Sequence, residues 1–318
     1  MTGFQEQLTG YLTDAHSIEE QALAQLRSAP KIAGTERLAA AFRAHLPETE
    51  GHERDIARLL ENRDGTPSWI KDTVMKLGGK GFVLFAWASP DTPGKLLAHA
   101  LSYEALEEAS YRLLARVAEH LAAEDVVEVA NRIRDEEIAM QERLAACFDD
   151  AVDASLRAIG NDDLKEQLRR YLADAHALEM QAIEVLERAL SPDAGKLADA
   201  YQEHLVETRD HADAVEARLR ALGGNRSSLK DTALRAGGMN WALFFEAHPD
   251  TPGKVAAFSY AFEHLEIGGY EQLKRVAIRA GDDETAALAD RILEQERGAA
   301  DTIRSLLPEA ALRALATA

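Results

Sequence analysis

The chain has 318 residues, of which 46% are hydrophobic, and its formal net charge is −19. A surface this acidic repels the phosphate backbone, which argues against nucleic acid as a partner and favours cations. No apolar run approaches the roughly 18 residues that cross a bilayer, and no secretory signal pattern opens the chain, so we expect a cytoplasmic protein without membrane contact. Cys147 is the single cysteine, which excludes an internal disulfide framework and a thiolate metal cluster.

The sequence repeats itself. The segment from Leu8 to Glu19 returns as Leu168 to Glu179, and the segment from Asp91 to Lys95 returns unchanged as Asp250 to Lys254. Length and repetition together predict two tandem domains, residues 1–158 and 159–318. The two copies also act as a small internal comparison, because a residue kept in both is tied to something that the copies share.

The composition predicts an all-α fold, since Ala, Leu, Glu and Arg dominate and there are only nine prolines. Each half contains four stretches in which core-type positions recur at alternating steps of four and three, the pattern of a helical seam. In the first half these seams run from Leu8 to Leu26, Leu38 to Leu59, Leu97 to Ala118, and Val126 to Cys147. We therefore expect one four-helix bundle in each half.

The connection between the second and third helices is long, from about Asn62 to Lys95 and from Gly223 to Lys254. A connection of this length predicts a bundle with one crossover. It contains an apolar patch in each half, residues 82–87 and 241–245. Either each patch caps its own bundle, or the two patches meet across a pseudo-twofold axis. The second alternative makes the chain an intrachain pseudo-dimer, which we expect to be a monomer or a small oligomer.

Pro47 falls inside the second helix, where the other half has Val206. A proline in a helix interior removes a backbone hydrogen bond and crowds the preceding turn. The sequence thus predicts a kink or a restart of the helix directly before Glu48.

Glutamates occupy core positions of the seams in both halves, and no arginine or lysine accompanies them there. Glu48 and Glu207 lie beside the seam of the second helix, one turn from His52 and His211. Burying unpaired carboxylates is costly, so a bound cation is the expected compensation; a hydrogen-bonded polar network or a vestigial, water-filled site is the alternative. The candidate metal ligands are Glu19, Glu48, His52, Glu104, Glu107 and Glu137, and in the second half Glu179, Glu207, His211, Glu263, Glu266 and Glu296.

Two divalent or trivalent cations per bundle balance this many carboxylates. Oxygen-rich ligands with one or two imidazoles suit iron or manganese; we prefer iron, with manganese or zinc as alternatives.

Other polar residues near these positions leave two interpretations open. His16, His45, His176 and His204 either orient a ligand carboxylate or serve packing, and Tyr111 and Tyr270 either donate to a ligand or are core tyrosines. Glu50, Glu108 and Glu136 have no acidic counterpart in the other half, so we expect them to be solvated.

Three motifs carry a resemblance to a known family: the run from Glu263 to Tyr270, the Asp-Ala-His-x-x-Glu opening of each half, and the Glu-Thr-x-x-His segment of each second helix. Together they resemble the ferritin-like proteins of the YciF/YciE type, a family long known as a domain of unknown function, over nearly the whole chain and once per repeat. The resemblance implies a ferritin-like four-helix bundle with a di-iron-type carboxylate site, commonly paired as a homodimer.

The wider ferritin-like superfamily places a glutamate on the first helix, and Glu19 and Glu179 match it. Glu104 with Glu107, and Glu263 with Glu266, match a two-glutamate third helix that resembles rubrerythrins. Two departures stand out. His52 follows Glu48 by four residues where the superfamily has three, and no histidine follows Glu137 or Glu296 by three.

The leading hypothesis is a dinuclear non-haem iron or manganese carboxylate protein that reacts with dioxygen or peroxide, acting in oxidation, peroxide removal or iron handling. As an enzyme it would be a peroxidase-like or ferroxidase-like oxidoreductase. The rival hypothesis is a stress-related structural or partner-binding protein with empty metal sites, whose apolar crossover patches hold the partner.

Overall fold

The computed structural model describes residues 2–63, 65, 91–159, 164–190, 195–224 and 252–316. The apolar patches of the two crossovers, residues 82–87 and 241–245, lie outside the described residues. The two alternatives for what those patches contact therefore both stay predictions.

The described residues are helical and contain no strand, which confirms the all-α prediction. The two tandem repeats form two four-helix bundles. The helices of the first repeat are α1 (Thr2–Leu26), α2 (Glu36–Glu61), α3 (Thr92–His120), α4 (Glu124–Ala145) and α5 (Phe148–Ile159), with a short 3-10 turn at Ala29–Lys31. Those of the second are α6 (Leu164–Ala189), α7 (Lys196–Ala221), α8 (Pro252–Ala280) and α9 (Asp283–Ala316). In this part of the chain no helix is long and apolar enough to cross a bilayer.

Helix α2 shows how local sequence positions the future site. It begins after Thr35, whose side chain accepts a hydrogen bond from the Leu38 amide at 3.2 Å and so satisfies one of the free donors of the first turn. Its buried face carries His45, Thr49 and His52, at steps of four and three. Pro47 lies on the exposed side, and the helix continues through it as a single element without a restart.

The two repeats differ in their last helical segment. The first repeat breaks after α4 and adds a fifth helix, α5, which packs on α3 and α8. In the second repeat the equivalent stretch is one continuous helix, α9. The fifth helix is a departure from the four predicted per half.

The two repeats pack through α3 and α8. Ser102 Oγ donates to the carbonyl of Ala261 at 2.7 Å, and these two residues occupy equivalent positions in the repeats. On either side, the Lys95 ammonium lies 3.7 Å from the Asp174 carboxylate, while Lys254, the counterpart of Lys95, lies 2.7 Å from Asp14. Contacts that come in such reciprocal pairs are those that a pseudo-twofold axis produces.

The interface is also apolar and close. One hydrophobic cluster contains buried residues of both repeats, from Leu8 to Leu315. Gly268 on α8 faces Ala98 on α3, and a Cβ atom added to Gly268 would lie 2.9 Å from the Ala98 Cα. Small residues at this crossing let the two backbones approach each other.

Candidate metal centre

Each bundle gathers carboxylates and imidazoles from all four of its helices into its interior. In the first repeat α1 contributes Glu19, α2 contributes two histidines, α3 contributes Glu104 and Glu107, and α4 contributes Glu137. All of these residues are buried, with at most 4% of their surface exposed. The cluster of the first repeat, centre 1, comprises Glu19, His45, His52, Glu104, Glu107 and Glu137. Centre 2 comprises Glu179, His204, His211, Glu263, Glu266 and Glu296.

Centre 1 consists of two ligand groups that share one glutamate. The donor atoms of Glu19, His52 and Glu137 lie within 4.8 Å of one another, and so do those of His45, Glu104 and Glu137. Glu137 faces both imidazoles, with its Oε1 2.9 Å from His52 Nδ1 and its Oε2 3.2 Å from His45 Nε2. If both groups held a cation, Glu137 would be the one residue that contributes a carboxylate oxygen to each.

Centre 2 repeats this arrangement. Glu296 Oε1 lies 2.9 Å from His211 Nδ1, and Glu296 Oε2 lies 3.3 Å from His204 Nε2. Glu179 completes the group around His211, while Glu263 and Glu266 complete the group around His204. Glu107, the counterpart of Glu266, is equally buried but is outside the two tight groups of centre 1.

The donor atoms that face the interior of each centre lie at ion-pair distance from one another but form no well-directed hydrogen bond to a described residue. Both oxygens of Glu107 and of Glu137 are in this state, as are the inward nitrogens of His45 and His52, and the counterparts of all these atoms in centre 2 repeat the pattern. Buried polar atoms normally have hydrogen-bond partners, and a convergent set of carboxylate and imidazole atoms is one that a metal ion could satisfy. Four carboxylates and two imidazoles around one interior fit a pair of hard or borderline metal ions.

Electrostatics show how the metal-free centre balances its charge. Burial alone lowers the pKa of His45, but the neighbouring carboxylates of Glu104 and Glu137 outweigh it and raise the pKa to about 12. His52 behaves alike beside Glu137 and Glu19, with its pKa raised to about 11. Burial and the repulsion of Glu137 raise the pKa of Glu107 well above its ordinary value. Protons on the imidazoles and on Glu107 therefore balance part of the buried negative charge.

His45 and His204 belong to the centres, although the sequence pattern did not place them among the candidate ligands. We interpreted them as outer donors or packing residues, yet each turns its Nε2 toward two core glutamates; His45 Nε2 lies 3.2 Å from Glu104 and 3.2 Å from Glu137. The signal was in the sequence, because His45 and His52 are seven residues apart and both occupy the seam.

The structure does not bring Glu48 and Glu207 into the clusters. Glu48 lies on the outer side of His45, where its Oε2 is 2.8 Å from His45 Nδ1 and accepts a hydrogen bond from Arg143 at 2.7 Å. Glu207 lies 3.2 Å from His204 Nδ1. Both are partly exposed because they stand beside the helix seam, so their carboxylates reach the imidazoles from outside.

Further groups support the centres from a second layer. The Tyr111 hydroxyl donates to Glu19 and the Tyr270 hydroxyl donates to Glu179, so these tyrosines are donors to the candidate ligands. Glu136 lies with its Oε2 2.5 Å from His52 Nε2, and is only partly exposed.

Glu108 is buried, so the prediction that it is solvated was wrong. It is 2% exposed, accepts a hydrogen bond from the Tyr260 hydroxyl of the other repeat at 3.0 Å, and pairs with Arg112. Its burial follows from the packing of α3 on α8, which a comparison of the two copies does not reveal.

Two other features lie near centre 1. The His16 Nε2 lies 3.2 Å from Glu53. With Glu20 these residues form a third His/Glu group, and the second repeat has Met180 and Ala212 at the positions of Glu20 and Glu53. A small pocket, lined mainly by apolar residues that include Leu26 and Phe42, reaches Glu104.

The chain belongs to the family described as a domain of unknown function (DUF892), whose model matches residues 3–157 and again residues 163–316. The double match confirms both the resemblance to proteins of the YciF/YciE type and the tandem duplication. No solved structure matches the chain.

Proposed function

We propose that each repeat binds a pair of metal ions, iron by preference, and that the protein uses them in redox chemistry with dioxygen or peroxide or in iron handling. The observation that carries the proposal is the pair of ligand groups in each bundle that share Glu137 or Glu296. A self-sufficient polar network would have a partner for every buried donor and acceptor, whereas both carboxylate oxygens of Glu107 and of Glu266 have no hydrogen-bond partner among the described residues.

The ligand set favours iron or manganese over zinc. Each ion of centre 1 would take one imidazole and one carboxylate of its own, His52 with Glu19 or His45 with Glu104, and would share Glu137. Carboxylate-rich sites without thiolates suit these harder ions. When bound, such a pair supplies Lewis acidity and electrons for reaction with a small oxidant.

The surrounding residues hold the ligands in place. Tyr111 donates to Glu19 and leaves the other oxygen of that carboxylate directed inward. Glu48 and Glu136 stand at the outer nitrogens of His45 and His52, so the proton of each neutral imidazole sits on the outer nitrogen and the inner one keeps its lone pair for a metal. Burial excludes bulk water from the carboxylates, and the apolar pocket beside Glu104 suits a small neutral oxidant.

Metal analysis tests the proposal. Protein purified without chelator and then loaded with Fe(II) under anaerobic conditions should contain about four ions per chain, two for each bundle. A variant with Glu137→Gln and Glu296→Gln should lose most of this metal, because each substitution removes the glutamate that both groups share. Glu50→Gln is the matched control, since Glu50 is a partly exposed glutamate of α2 that lies 3.7 Å from Arg27.

The reaction is tested separately by mixing the Fe(II)-loaded protein with dioxygen or peroxide and following iron oxidation by stopped-flow absorbance. We expect oxidation faster than in the double Gln variant and equal to that of the control. Fewer than about one tightly bound ion per chain after loading would contradict the proposal, because two centres offer sites for about four.

A further inference from the structure

The two centres have different hydrogen-bond partners behind equivalent imidazoles. In centre 1 the His52 Nε2 lies 2.5 Å from the carboxylate of Glu136. In centre 2 the His211 Nε2 lies 3.1 Å from the amide oxygen of Gln295. Glu136 and Gln295 occupy equivalent positions on α4 and α9, so the same place in the fold holds an anion in one repeat and a neutral amide in the other.

The inward geometry of these histidines is the same in both repeats. Each turns Nδ1 toward the shared glutamate at 2.9 Å, and that nitrogen is the one available to a metal. The proton of the neutral ring must then sit on Nε2 and be donated outward. A carboxylate acceptor draws this proton more strongly than an amide does, which increases the electron density that the ring offers to a cation.

A second difference of the same kind surrounds His45 and His204. Glu48 lies 2.8 Å from His45 Nδ1 and is held there by Arg143 at 2.7 Å. In centre 2, Glu207 lies 3.2 Å from His204 Nδ1, and the position equivalent to Arg143 is Thr302, whose hydroxyl donates to the backbone of Gly298. The outer carboxylate is therefore fixed by a cation in the first repeat alone.

Arg132 strengthens the contrast by fixing Glu136, because its guanidinium donates to both carboxylate oxygens at 3.2 Å. Gln295 instead directs its amide nitrogen to Glu207 at 3.5 Å. Centre 1 thus has two oriented anions behind its imidazoles, and centre 2 has one anion, less firmly placed.

We propose that the two centres are inequivalent, that centre 1 binds its cations more tightly and better stabilises their oxidised state, and that Glu136 and Gln295 determine this difference as positioning residues. The inference rests on the proposed metal binding. It assigns distinct roles to the repeats: centre 1 fills first and keeps its metal, while centre 2 fills last and releases metal first.

Anaerobic titration of the full chain with Co(II), followed by its visible d–d absorption, tests the inference. Wild-type protein should show two phases that differ in affinity by about tenfold or more, the usual effect of an outer partner on a metal-bound histidine. Each phase is assigned with a chain in which the other centre is removed, by Glu137→Gln or by Glu296→Gln.

Exchange of the two outer residues provides the matched variants. Glu136→Gln should weaken the first phase toward the affinity of the second, and Gln295→Glu should strengthen the second toward the first. The chain with both exchanges should fill centre 2 first. The reduction potential of iron-loaded centre 1 should rise in Glu136→Gln, a change that a purely structural role does not produce, and circular dichroism should show unchanged helix content.

The outcomes separate the two proposals. Two phases that exchange order with the residues support the inequivalence. Four equivalent sites that neither substitution alters would overturn it and leave the proposed function intact. Absence of Co(II) and Fe(II) binding in every chain would overturn both.

Discussion

At the scale of single residues, the metal-free centres balance buried charge with protons. His45 and His52 have pKa values raised to about 12 and about 11 because carboxylates surround them, although burial acts in the opposite direction. His204 and His211 repeat this, with pKa values raised to about 12 and about 10. A cation and these protons compete for the same lone pairs.

Metal affinity should therefore rise with pH. Both imidazoles of centre 1 are protonated at neutral pH, since their raised pKa values lie far above it, and a metal must displace those protons. We expect release of more than two protons per centre, because Glu107, whose pKa is also raised, adds to the two imidazoles, and an affinity that increases steadily from about pH 6 to pH 8. Calorimetric titration with Mn(II) in buffers of different ionisation heat measures the number released; an affinity independent of pH would contradict the charge balance.

Substitution of two neighbouring residues separates ligands from outer partners. His45→Ala removes an inward donor, so the first repeat should retain about one ion instead of about two. Glu48→Ala removes only the outer carboxylate, so both ions should remain with an affinity about 10-fold to 100-fold lower. Metal content after dialysis distinguishes the two results, and equal loss in both variants would place Glu48 among the ligands.

At the scale of helices, the crossing of α3 and α8 depends on small side chains. Gly268 faces Ala98 so closely that an added Cβ atom would lie 2.8 Å from the Ala98 Cβ and 2.9 Å from its Cα. Backbone atoms cannot move aside as the end of a flexible side chain can. The small residues thus set the distance between the two repeats.

Gly268→Ala should destabilise the protein by about 1–3 kcal/mol, because overpacking forces the two helices apart. The control is Gly298→Ala on the exposed side of α9, where a Cβ atom would meet nothing within 4 Å. There the better helix propensity of alanine should stabilise by about 0.5–1 kcal/mol. Urea unfolding measures both, and a neutral Gly268→Ala would show that the crossing can widen without cost.

Helix α2 carries a similar local cost at Pro47, which cannot donate a hydrogen bond to the carbonyl of Arg43. Pro47→Val introduces the residue of the second repeat and should stabilise the protein by up to about 3 kcal/mol. Val206→Pro is the reverse change and should destabilise by a similar amount. Chemical denaturation measures the change in the free energy of unfolding for both variants. A destabilised Pro47→Val would mean that α2 needs the proline geometry around His45.

At the scale of the whole molecule, the two bundles share their apolar interior. One hydrophobic cluster contains residues of both repeats, and reciprocal ion pairs at Lys95 and Lys254 flank it. If one repeat unfolds, the apolar surface of the other repeat loses the side chains that cover it. The bundles should therefore stabilise each other.

Thermal unfolding of the metal-free chain should accordingly be a single transition. Calorimetry should give equal calorimetric and van't Hoff enthalpies, the mark of an all-or-none transition. Leu8→Ala, a cavity in the first repeat, should lower the midpoint of the whole transition without splitting it. Two separate transitions would show that the repeats fold independently.

Composition, periodicity and repetition predicted the all-α fold and the duplication, which are confirmed, and they named ten of the twelve residues that form the two clusters. Helical periodicity exposed the anomaly, because glutamates such as Glu19 and Glu137 recur at seam positions where a helix is buried whatever its partners are. A seam position is a local property of one helix, so one sequence suffices to assign it.

Tertiary structure alone decided which atoms converge. Whether His45 or Glu48 faces the interior depends on how α2 is rotated against three other helices, and the burial of Glu108 depends on the second repeat. The sequence shows that Glu136 and Gln295 differ. Only the structure shows that these two residues contact equivalent histidines, His52 at 2.5 Å and His211 at 3.1 Å. These are relations between distant segments, and packing fixes them, whereas periodicity within a single segment does not.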